Sequence, residues 1–141
     1  MAVVMKTLYD TDFVEWSAQM AELIRTGRLD EVDLEHVAEE IEDLGKSDRQ
    51  AVWSQLTRLL QHRIKQQIQP ERAGRSWASS IASAQIAIGR ALKESLSLRR
   101  YLVDELQDAY DAAVRLAKIE TGVSAELPKK CPYTLDELLS P

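Results

Sequence analysis

Apolar residues recur every three or four positions along almost the whole chain, and the recurrence divides into five helical stripes. The first runs through Phe13, Trp16, Met20, Leu23 and Ile24. Asp12 and Glu15 form a capping box at its start, and Gly27 is a stop that accepts a left-handed backbone. A second stripe, Leu34, Val37, Ile41 and Leu44, follows a cap at Asp33 and is expected to face the core, with Gly45 stopping or bending the chain. Ser47 and Gln50 then open a third helix over about 48–69, carrying Val52, Leu56, Leu59, Leu60, Ile64 and Ile68 up to Pro70. After the linker PERAG, Ser76 is the predicted cap of a fourth helix whose face is Trp77, Ile81, Ala84, Ile88, Ala91 and Leu92. Ser95 and Ser97 mark the next break. The fifth helix carries Leu98, Leu102, Leu106, Ala109, Ala113 and Leu116, and stops at Gly122. The tail LPKKCPYTLDELL closes with Thr134 and Glu137 as the capping box of one short helix.

Five amphipathic segments on short connections predict an all-α fold, an antiparallel bundle of about five helices with a docked C-terminal tail. Composition agrees. With 141 residues, 5 Gly and 4 Pro, the chain is expected to form a single domain over 1–141 and has too few turn formers for a many-stranded β protein. Residues 1–8 read as a loose N-terminus and 123–141 as a tail packing on the bundle. The start MAVVMKTLYD lacks the pattern of a secretory signal, and no apolar run is long enough to span a bilayer. One cysteine, Cys131, has no internal disulfide partner, which suits a reducing cytoplasm.

The net charge of −5 conceals a segregated pattern. Residues 10–48 carry 13 acids and 3 bases, residues 49–100 carry 10 bases and 2 acids, and residues 101–141 carry 8 acids and 4 bases. An acidic beginning and a basic middle are expected to offset each other in a compact fold.

The ordered segments LYDTDF, DLEHVAEEIEDLG, LLQHRIK, QPERAGRSW, LRRYL, ETG and CPYTLDELL resemble a bacterial family, found in cyanobacteria and proteobacteria, of domains of unknown function number 29. The resemblance extends from about Leu8 to Leu139. Asp12, Trp16, Glu40, Leu44, Gly45, His62, Lys65, Pro70, Trp77 and Tyr133 fall where the family's recurring residue types do. Gln66 and Gln67 depart from it, standing where many relatives have an aromatic after the lysine. The resemblance implies an all-helical fold and brings no activity, cofactor or catalytic residue.

Function must therefore be read from side chains. If the second and third helices run antiparallel, Glu40 and His62 meet across their seam. Lys65, Arg63 or Arg75 would then be within reach of Glu40, and Glu40, His62, Lys65 and Arg75 would form a polar cluster that serves as a structural ion pair or as a functional group. The sharper reading joins His36, Glu40 and His62 as ligands of a divalent metal supporting hydrolysis. A third reading takes Arg58, Arg63, Lys65, Arg72 and Arg75 as phosphate contacts for weak nucleic-acid binding, with Trp77 as a stacking platform if exposed. In KKCPYT, Lys129 and Lys130 would lower the Cys131 thiol pKa, although no base is placed beside it and the cysteine reads better as an anchor for the tail. No phosphate-binding glycine loop, nucleophile elbow or Cys-x-x-Cys pair occurs. The reading these observations favour is a non-enzymatic interaction protein of the bacterial cytoplasm, with another protein or a second copy of itself as partner, no membrane association and no resident cofactor.

Overall fold

The structure, a computed structural model, describes residues 7–141. It is all-α, with six α-helices and no strand among the described residues: α1 (Leu8–Thr11), α2 (Phe13–Arg25), α3 (Leu34–Ile68), α4 (Arg75–Glu94), α5 (Ser97–Thr121) and α6 (Leu135–Leu139). Single 3-10 turns at Leu29–Glu31 and Pro70–Arg72 make two of the connections. The packing falls into two compact units, Met1–Lys46 and Ser47–Pro141.

Several local expectations hold. The Asp12 carboxylate accepts from the Glu15 amide at 3.1 Å and starts α2. Gly27 and Gly122, at φ 76 and 68, are the left-handed residues that follow α2 and α5. Thr134 accepts from the Glu137 amide and caps α6. Leu8, expected in the loose start, instead opens α1, where Asp10 accepts from the amide and the hydroxyl of Thr7. Residues 1–6 of that expected loose segment lie outside the described residues. At α4 the helix begins two residues early, with Gly74 rather than Ser76 in the capping position.

The largest difference is in the middle of the chain. The two helices expected over 34–44 and 48–69 are one, since α3 runs 35 residues without interruption through Gly45 and Ser47. A glycine inside a helix costs about 1 kcal/mol relative to alanine, too little to end a helix whose neighbours favour continuation. The same region corrects the expected core face. Ile41 and Leu44 are 64% and 69% exposed, and Leu34 is 65% exposed.

In the first unit, Trp16 and Val32 are buried, with Tyr9, Met20, Leu23 and Val37 half-buried. The second unit contains the large core: Val52, Leu56, Leu59, Leu60 and Ile64 of α3, Ile81, Ala84, Ile88 and Leu92 of α4, and Leu98, Leu102, Ala109, Tyr110, Ala113 and Ala117 of α5. On α5 the buried row continues from Ala109 and Ala113 to Ala117, four residues on, and leaves Leu116 44% exposed. Small side chains along one edge let a neighbouring helix approach closely. The bundle is antiparallel, because the last turns of α3 and α5 and the first turn of α4 meet at one end, through Lys65, Glu120 and Trp77. The C-terminal tail is docked. Leu135 and Leu138 are buried in the same core, Tyr110 donates to the Pro128 carbonyl at 2.7 Å, and Gln85 donates to the carbonyls of Leu138 and Ser140.

Candidate functional site

Two polar clusters form, one in each unit. In the first, α1 and α3 place Tyr9 and His36 face to face, their rings 4.0 Å apart and inclined by 17°. The Tyr9 hydroxyl donates to Glu40, one turn beyond His36. On the other side of the imidazole, Nδ1 lies 2.5 Å from the Asp33 carboxylate, which also accepts from the His36 amide as the α3 cap. Trp16 stands edge-on to both rings, 4.7 Å from Tyr9 and 6.5 Å from His36. Met20 closes the base, its sulfur accepting from the Asp33 amide.

These contacts set the protonation of the cluster. The hydrogen bond to Asp33 holds the His36 pKa above the ordinary imidazole value, against partial burial acting the other way. The same bond holds the Asp33 carboxyl below its usual range. Tyr9 is pushed up to about 12, first by its bond to Glu40, then by desolvation and by the charges of Glu40, Glu39 and Asp43. The His36–Asp33 bond thus favours the charged forms of both residues together, while the Tyr9 phenol stays neutral.

In the second unit, Lys65 is 4% exposed, and its Nζ lies 2.7 Å from Glu120 and 4.6 Å from the centre of the Trp77 ring. Glu120 also accepts from Gln61 at 2.6 Å, and the Lys65 ammonium is the leading cause that lowers its pKa. Trp77 is half-buried and engaged by the lysine. His62 turns Nδ1 to the Arg58 carbonyl of its own helix at 2.9 Å.

The structure thus distributes the sequence-derived candidates differently from expectation. His36 and Glu40 do come together, through Tyr9. His62 does not join them, since an unbroken α3 has no antiparallel seam between its two halves. Glu40 takes Tyr9 as partner rather than Lys65 or Arg75, and Lys65 takes Glu120. Among the described residues, no group of three His, Cys, Asp or Glu side chains is gathered closely enough to hold a metal ion. Arg58, Arg72 and Arg75 are exposed and Arg63 is half-buried; none forms an ion pair among the described residues. Cys131 is half-buried against the core, and burial raises its thiol pKa, the opposite of the lowering expected from Lys129 and Lys130.

Sequence reasoning missed Tyr9 and Glu120. Tyr9 sits just ahead of the Asp12 cap, and its place in LYDTDF was the available signal. Glu120 has no local signal, because its partner lies 55 positions away.

An all-α bundle with a polar cluster in each of its two units is the class defined by these observations. The chain belongs to the family described as Domain of unknown function DUF29, which it matches over residues 8–141. No curated protein and no solved structure matched it. No helix among the described residues is long and apolar enough to cross a membrane.

Proposed function

We propose that the protein is a non-enzymatic helical interaction protein of the bacterial cytoplasm, and that it meets its partner through the first three turns of α3. The observation that carries this reading is the exposure of Leu34, Ile41 and Leu44, each more than 60% open to solvent on one helix. A single exposed leucine needs no explanation, whereas large aliphatic side chains repeated at helical spacing leave an apolar stripe in water. The Tyr9–His36 and Tyr9–Glu40 contacts supply a local reason for this part of α3 to stay ordered while its other side remains open.

The test is a photo-crosslinking amino acid at position 41, with position 104 on α5, also exposed, as control, in cells producing the full chain. A discrete adduct at 41 that is missing at 104 is expected. The same diffuse background at both positions would overturn the reading.

A further inference from the structure

We infer that the partner docked on α3 is a basic amphipathic helix. This rests on the interaction reading above and names the chemistry of the occupant. The exposed stripe has two rows at heptad spacing, Leu34 with Ile41 and the small, exposed Ala38 with Gly45. At about 1.5 Å rise per residue, the span from Leu34 to Gly45 presents roughly 16 Å of surface, about three turns. Large side chains alternating with small ones form knobs and holes, which fit the side chains of another helix at close approach. Gly45 has no atom within 4 Å of where a Cβ would stand, so space beside the backbone is open there.

Charge decides which helix fits. At about 100° per residue, Glu35 and Glu42 lie along one border of the stripe and are exposed, with Glu39 and Asp43 further round the same helix. Glu40 and Asp33 lie on the opposite border, already engaged by Tyr9 and His36. Lys46 is the only Lys or Arg between positions 30 and 46, against eight acids, and His36 in the same range is taken up by Asp33. A second copy laying the same stripe against this one would bring glutamate against glutamate, a like-charge arrangement that costs stability and rejects the pairing. A helix with Leu or Ile on one face and Lys or Arg at its edges fills the holes and neutralises Glu35 and Glu42 together. Basic residues at the edges also bury their aliphatic stems along the seam.

The experiment uses the full chain and two labelled synthetic peptides of about three heptads, one with a leucine face and lysine edges, the other with glutamate edges. Fluorescence anisotropy is expected to show saturable binding of the Leu/Lys peptide and none of the Leu/Glu peptide. Affinity should fall as salt is raised from about 0.05 to about 0.3 M, because the paired charges are screened over a shorter distance. Ile41→Asp and the pair Glu35→Lys with Glu42→Lys should each weaken binding at least about tenfold with an unchanged helical circular dichroism spectrum, all three positions being exposed. Equal binding by Ile41→Asp would show charge attraction without a seam, and equal binding of the two peptides would show no charge selection. Either result overturns the inference. So does a wild-type chain that sediments as a dimer and becomes monomeric in Ile41→Asp, which makes a second copy the occupant. If the adduct at position 41 forms while the peptides are not discriminated, the partner chemistry is wrong and the interaction reading survives. If neither occurs, both fall.

Discussion

Lys65 and Glu120, 55 positions apart in the chain, meet with Nζ 2.7 Å from Oε1 where the last turns of α3 and α5 converge. The lysine is almost fully buried and lies over Trp77, while the glutamate is half-exposed. The pair therefore supplies a counter-charge for an ammonium that the fold has removed from water, at a helix end where register matters. Removing one partner of a buried pair is costly because it strands the other, whereas replacing the buried member with an apolar residue of similar shape is not.

Glu120→Gln should destabilise the protein by about 1–2 kcal/mol, below the range for fully buried pairs because water reaches Glu120. Lys65→Met, which keeps the contact with Trp77, should cost less than about 1 kcal/mol. Urea unfolding of the two variants, followed by circular dichroism, measures both. The opposite ranking would show that the ammonium is not the element needing compensation.

The His36–Asp33 pair has a defined pH window. His36 has a raised pKa in the folded state, so its contribution is complete below the ordinary imidazole value of about 6.5 and is lost as pH rises through the raised value. Asp33 has a lowered pKa, so its contribution is present above about 3.9 and is lost as pH falls through the lowered value. The pair is fully formed between roughly pH 4 and 6.5. An NMR titration of the two histidines should place the His36 midpoint above the ordinary value, and Asp33→Asn should bring it down.

Continuity of α3 through Gly45 predicts the sign of a simple substitution. Gly45 does not have a positive φ, and a new Cβ there meets no atom within 4 Å. Gly45→Ala should therefore stabilise the chain by about 1 kcal/mol through helix propensity alone. Gly122→Ala, at φ 68, should destabilise it by a similar amount because an L side chain is strained there. Thermal unfolding of the two variants should move in opposite directions.

Burial separates two aliphatic residues that look alike on the helical pattern. Leu56 is fully buried, and Leu56→Ala should cost about 2–5 kcal/mol. Ile41→Ala, at an exposed position, should stay within about 0.5 kcal/mol of the parent. A large loss at Ile41 in the purified chain would mean that the stripe is already covered.

Cys131 should behave as a packed residue. Its thiol is half-buried and its pKa is raised by burial, so its reaction with a disulfide reagent at neutral pH should be slower in the folded protein than in urea. Faster reaction in the folded state would restore the activating role of Lys129 and Lys130.

The sequence by itself determined the all-α class, most helix ends and most of the large core. Capping by Asp12 and Thr134, and the left-handed turns at Gly27 and Gly122, depend on neighbours a few positions away, and so does the spacing that lines up Leu56, Leu59 and Leu60. Only the tertiary structure decided which charges pair and which apolar positions stay open. Glu40 could be assigned to Lys65 or His62 by the logic of charge alone; it bonds Tyr9 because α1 brings that ring onto the side of α3 where His36 also lies. Lys65 bonds Glu120 because two helix ends coincide. The stripe of Leu34, Ile41 and Leu44 has the periodicity of a core face, and periodicity records only that one side of a helix is apolar. Whether that side is covered depends on what packs against it, and along this part of α3 it is left to solvent.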